Sequence, residues 1–197
     1  MKNRFNFKTN RLFACTIIIA GFGFVSCNNT PKTPDTKETA EEHNEAKFDE
    51  KKSEKDAQFL VESAEINLEE MQLGKLAQSR SKNADVIALG KMMENEHANA
   101  MNDLKDLAAK KQISIPTSIT QDGQDAFDKL NEKTGKDFDK SYCEMMVKGH
   151  KKAIDKFESA SKDVEDADIR AWATNMLPAL RTHLDHAITC EEKCKNL

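Results

Sequence analysis

The stretch Val86-Ile87-Ala88-Leu89-Gly90-Lys91-Met92-Met93-Glu94-Asn95-Glu96-His97-Ala98-Asn99-Ala100-Met101-Asn102-Asp103-Leu104 decides how this chain reads. Val86, Leu89, Met93, Ala100, Leu104 and Leu107 recur every three or four positions, the spacing of a helix that buries one stripe, and His97 stands inside that stripe. A polar ring occupies a place where the period asks for a leucine. Glu70, His150 and His183 repeat the exception on three other periodic segments, each on or beside an apolar seam. The chain therefore reads as a helical bundle with polar groups in its core.

Composition agrees. Among 197 residues, 32% are charged and 6% aromatic, with 4 Pro and 7 Gly, a balance poor for sheets and rich in helix formers. The length suits one domain with its own core. A formal net charge of -4, with Lys and Glu interleaved, implies a mixed-sign surface. No basic stripe points to nucleic acid as a partner.

Upstream of the quoted stretch, a long helix is expected over 56–79, with Phe59, Ile66, Leu73 and Ala77 on one face and Glu62, Ser63, Glu69 and Glu70 on or beside it. Ser81-Lys82-Asn83 breaks it, and the second long helix runs over 84–111 with Asn83 as cap and Asp85 in its first turn. Ile113 to Ser118 is a connector around Pro116, followed by a shorter helix over 121–132. The third long helix takes 137–162 on a stripe that includes Phe138, Tyr142, Met146, His150 and Phe157. Asp166 or Asp168 caps the fourth, which reaches about Cys194 and which Pro178 should kink. The expected fold is all-α, an antiparallel four-helix bundle over 56–194 with a short extra helix in the connection between the second and third long helices.

The N-terminal region differs in character. Lys2, Arg4, Lys8 and Arg11 precede the apolar run Leu12 to Val25, which has the length of a signal-peptide core rather than of a membrane span. Phe24-Val25-Ser26-Cys27 has the form of a bacterial lipobox, in which Cys27 is lipidated and becomes the new N-terminus. An ordinary secretory cleavage near the same place is the alternative. Residues 1–26 are thus read as a lipoprotein signal peptide and 27–55 as a disordered tether, since Thr, Pro, Lys, Glu and Asp there bury too little surface to order it. Its last part, from Glu41, has some helical character. The expected location is the cell envelope, outer membrane or periplasm, with the membrane as a partner through the lipid anchor.

Two positions on antiparallel neighbours lie level when they are equally far from the intervening turn. Glu70 and His97 have their midpoint near Asn83, so a carboxylate and an imidazole are expected across the core from one another. His150 and His183 have theirs between Asp166 and Ala167, a few residues past the centre of the turn, which leaves them level or one to two turns apart. Glu94-Asn95-Glu96-His97 has the Glu-x-x-His spacing of di-iron carboxylate bundles, but the second copy is missing, because Leu180 stands three before His183. Glu70, His97, His150 and His183 form the candidate metal set, with Glu94 and Glu96 as further candidates. Three imidazoles and a carboxylate suit a divalent Zn, Fe, Mn or Cu ion. The competing reading is a buried hydrogen-bond network that binds nothing. With Cys15 removed and Cys27 acylated, Cys143, Cys190 and Cys194 remain; Cys143 and Cys190 share the midpoint of the histidine pair, so a disulfide joins the last two helices, or else Cys190 pairs with Cys194. No nucleophile triad and no phosphate-binding glycine loop is present.

The segments Leu73-Gly74-Lys75-Leu76-Ala77, Met93 to His97 followed by Leu104, Phe138-Asp139-Lys140-Ser141-Tyr142, Met146-Val147-Lys148-Gly149-His150, and Leu177-Pro178-Ala179-Leu180-Arg181-Thr182-His183-Leu184 resemble the bacterial domain-of-unknown-function family 4142. The resemblance covers about Asp56 to Ala187. It implies a ferritin-like four-helix bundle in an exported protein, with recurrent polar residues at Glu70, His97, Tyr142, His150 and His183. The family commonly has Asp where this chain has Glu96 and Asn where it has Met101. It implies no activity. Together these readings describe a lipid-anchored envelope bundle acting as a binding or stress-related module with a divalent metal; a ferritin-like di-metal oxidoreductase and a purely structural envelope protein are the alternatives.

Overall fold

The computed structural model describes residues 35–48 and 51–195. The expected signal segment and Cys27 lie outside them. The described residues form six helices and no strand: α1 Thr36–Lys47, α2 Lys51–Arg80, α3 Ala84–Lys111, α4 Gln121–Asn131, α5 Gly135–Asp163 and α6 Ala167–Lys195. None of these helices is long and apolar enough to cross a membrane.

Local signals set most helix ends. The Asn83 side chain accepts from the Asp85 backbone N–H at 2.9 Å, which satisfies one orphan donor at the start of α3. Asp166 does the same for α6, its Oδ1 accepting from the backbones of Asp168 and Ile169. Gly135 opens α5 at φ 55°, a backbone conformation that costs glycine little. Pro178 does not end α6. It is exposed, so the carbonyl its missing N–H leaves unpaired faces water, and the helix is assigned without a break from Ala167 to Lys195.

The expected tether is the main departure. Residues 36–47 inside it are helical, and α2 starts at Lys51, not near Asp56. Asp35 caps α1 by accepting from Lys37 N, and its other oxygen accepts from Gln121 N. Buried Asn44 makes a reciprocal pair with Ser114, donating to its carbonyl and accepting from its N–H, each at 2.8 Å. Lys37 reaches Glu65 at 2.8 Å. A count of large apolar residues misses this helix because hydrogen bonds to the connector between α3 and α4 hold it, with Ala40 as its buried apolar contact.

α2 and α3 form one antiparallel hairpin and α5 and α6 another, with α2 against α5 and α3 against α6. Gly74 and Gly90 bring the first pair into backbone contact: a Cβ at Gly74 would lie 2.6 Å from the Gly90 carbonyl oxygen. Asp56 ties the hairpins at one end, its carboxylate accepting from the Glu165 and Asp166 backbones at 3.1 and 2.7 Å. At the other, Ser81 donates to Asp139 at 2.6 Å. The core has two apolar halves. One holds the aromatic trio Phe59, Phe157 and Trp172, with Phe59 edge-on to the other two, and the other is built on Leu73, Met93, Phe138, Tyr142 and Met146. In chain position, Asn67, Glu70, His97, His150 and His183 fall between the residues of these halves on every long helix, and all five are buried.

Candidate metal centre

His97 on α3, His150 on α5 and His183 on α6 converge. Their ligand atoms all lie within 4.8 Å of one another, and the rings are 5.3 to 5.6 Å apart by centroid. His150 and His183 prove level, with His150 Nε2 3.4 Å from His183 Nδ1.

The outer nitrogen of each ring has its own partner. Asn67 donates through Nδ2 to the Ser63 carbonyl at 3.0 Å, which orients its amide so that Oδ1 faces His97 Nδ1 at 2.8 Å. An amide oxygen only accepts, so the proton of His97 sits on Nδ1 and Nε2 carries the lone pair. That Nε2 is buried without a partner. His150 Nδ1 donates to the Met146 carbonyl at 2.9 Å, which leaves its Nε2 as the acceptor. His183 donates from Nε2 to Glu96 at 3.0 Å, so the lone pair of its neutral form lies on Nδ1. Three lone pairs thus point into one space while a side-chain amide, a backbone carbonyl and a carboxylate hold the rings from behind. This is the outer-shell arrangement that orients metal-binding imidazoles.

Electrostatics favours the neutral form of His97 and His150. Burial, then the neighbouring His150 and His183, push His97 well below its ordinary value. Burial pulls His150 down to about 4, against the raising effect of its bond to Met146, and His183 adds to the fall. A neutral imidazole is the form that ligates.

Glu70 takes a different place from the one expected. It lies 3.9 Å from His150 Nδ1, the nitrogen already bonded to Met146, and outside the group of three. The residue opposite His97 is Asn67, because the Gly74–Gly90 contact and the Asn67–His97 bond share a midpoint at Lys82, not Asn83. Burial, and secondarily Glu69, raise the Glu70 carboxyl to about 8, and its Oε2 has no partner. Glu94 turns outward, accepting from Gln78 at 2.7 Å with Lys75 3.9 Å away. Glu96 supports His183. Buried Tyr142 stacks on Phe138, its hydroxyl unpaired and its pKa raised well above normal by burial and then by Glu70. Sequence reasoning missed Asn67; an asparagine level with His97 about the turn was the available signal.

A small cavity of about 30 Å³ adjoins the histidines, lined by Asn67, Glu96, His97, His183, Trp172 and apolar side chains. The Trp172 indole N–H is buried without a partner.

Cys143, Cys190 and Cys194 form a second convergence. Cys143 Sγ is 2.8 Å from Cys190 Sγ and 3.9 Å from Cys194 Sγ. The helix pairing behind the expected disulfide is therefore present, and all three are free thiols here. The S–H of Cys143, donated to Cys190, lowers the Cys190 pKa and raises its own, and burial pushes Cys194 up to about 11.

The described residues define an all-helical fold in which three buried histidines converge. Residues 40–189 match the model of the family described as Domain of unknown function (DUF4142), and the chain belongs to that family. No curated protein and no solved structure matches it.

Proposed function

We propose that this protein is a lipid-anchored cell-envelope module whose four long helices form an antiparallel, ferritin-like bundle around one divalent transition metal. His97 Nε2, His150 Nε2 and His183 Nδ1 are the ligands, and the fourth position is open to a small molecule.

The observation that carries the reading is the convergence of His97, His150 and His183, with His150 Nε2 and His183 Nδ1 3.4 Å apart. Tetrahedral ligands at the usual zinc–nitrogen distance of about 2.05 Å sit roughly 3.3 Å apart, so the spacing is that of a shared ion. All-imidazole ligation suits Zn, Cu or Fe better than Mn, which prefers oxygen. The adjoining cavity has about the volume that one water occupies, and Trp172 offers it an unpaired donor. When bound, such an ion supplies Lewis acidity to a small ligand in that cavity. Glu94 and Glu96 are not ligands in this reading, which makes the centre mononuclear and separates it from a di-metal oxidoreductase. Phe24 to Cys27 supports the lipid anchor.

The test is metal binding by the full chain after chelation. The equivalent of Zn, Cu or Fe held by the histidines should raise the melting temperature, by about 2.7 kcal/mol of stability at a hundredfold excess over Kd. His97→Ala should remove that equivalent and its share of the shift, both of which Cys194→Ser keeps. A purified protein without metal, in which His97→Ala costs the same stability with or without added ion, would decide for a structural network.

A further inference from the structure

We propose that Cys143, Cys190 and Cys194 form a second metal site, separate from the histidine centre, that takes a thiophilic d10 cation, Zn(II) or Cu(I). Three buried sulfurs from two helices converge with all ligand atoms within 4.8 Å. Sulfurs bound at the usual zinc–sulfur distance of about 2.3 Å sit roughly 3.8 Å apart around the ion. The Cys143–Cys194 separation of 3.9 Å already has that value, and the 2.8 Å between Cys143 and Cys190 opens to it by a small rotation of either side chain.

The surroundings are those of a thiolate site. The Asn83 amide donates toward Cys194 Sγ at 3.8 Å while its oxygen caps α3, so one side chain both starts that helix and orients a sulfur. A surface groove of about 250 Å³, lined by Asp85, Leu89, Met92, His186, Cys190 and Lys193, borders the cluster at Cys190. A disulfide would engage two sulfurs and strand the third as a buried thiol, whereas an ion engages all three.

Softness separates the two centres. Thiolates select Cu(I) and Zn, and imidazoles accept Zn, Cu(II) and Fe. Cys143 precedes His150 by seven residues on α5, and Cys190 follows His183 by seven on α6, so the sites stand about 10 Å apart along the axis. They can fill independently.

The experiment uses the full chain, reduced and metal-free under anaerobic conditions. Cu(I) is titrated against a chromophoric Cu(I) chelator, and Co(II) stands in for Zn(II) as the spectroscopic probe. The expected result is one equivalent of Cu(I) with three sulfur scatterers in X-ray absorption, and a Co(II) thiolate-to-metal charge-transfer band that saturates at one equivalent beyond the Co(II) held by the histidines. Cys194→Ser, in the last turns of α6, should weaken binding by more than ~10-fold, the loss that even outer-shell changes cause. His97→Ala should leave this band unchanged. Absence of the charge-transfer band, unchanged binding by Cys194→Ser, or a metal-free protein from its native envelope with Cys143 in a disulfide would each overturn the proposal. If the variant does not fold, sulfur scattering from the parent protein decides alone.

Discussion

Replacing Gly74 by alanine tests what sets the α2–α3 register and, through it, the position of His97. The added Cβ would lie 2.6 Å from the Gly90 carbonyl oxygen and 2.9 Å from the Glu94 nitrogen, where ordinary contact begins at 3.4 Å. Both obstacles are backbone, so neither can rotate away, and the helices must separate locally by up to about 0.8 Å. Overpacking of this kind costs roughly 1–3 kcal/mol, while Gly to Ala inside a helix gains roughly 0.8–1.0 kcal/mol. Two rigid backbone clashes put the cost in the upper part of that range, so a net loss of about 1–2 kcal/mol is expected. Gly149→Ala is the control, because its Cβ would meet only the mobile end of Glu70, at 3.2 Å. There the helix gain should survive, leaving a stability between unchanged and about 1 kcal/mol higher. Urea unfolding followed by circular dichroism, with equal m values, measures both. The wedge sits seven residues from the Asn67–His97 bond, about two turns away, so the metal-induced melting shift should also shrink in Gly74→Ala. A Gly74→Ala protein as stable as its parent, or a Gly149→Ala protein worse than it, would refute the reasoning.

In chelated protein, Glu70→Gln should flatten one limb of the pH–stability curve. The folded state keeps the Glu70 proton up to about 8, and the unfolded chain releases it near its ordinary 4.5, so this group's contribution is complete below 4.5 and is lost as pH rises to about 8. The variant should match its parent near pH 5 and exceed it near pH 8 by up to about 4 kcal/mol, on the scale of about 1.36 kcal/mol per unit; parallel urea-derived profiles would sink the assignment. Cys27→Ser should abolish lipid labelling and move the protein out of the membrane fraction, and retained labelling would exclude the anchor.

What could be read from the sequence was whatever is decided within a turn or two of helix. The apolar period located the long helices, and Asn83 and Asp85 placed the start of α3 because capping involves neighbours in sequence. His97, His150 and His183 stood out because a polar ring inside an apolar stripe must face something buried. Equal distances from the α5–α6 turn also foretold that Cys143 would lie near Cys190. The α2–α3 register did not follow, since it depends on the backbone contact of Gly74 with Gly90, and that contact places Asn67 opposite His97 and sends Glu70 to His150. α1 was legible only from Glu41 onward; its start and its docking rest on Asp35 and on Asn44 bonds to Ser114, 70 residues away. Which nitrogen of each imidazole is free was hidden too, because the proton follows the acceptor behind the ring. Met146 stands one turn before His150 on α5, but Asn67 reaches His97 only when α2 has paired with α3, and Glu96 reaches His183 only when the two hairpins have closed on each other.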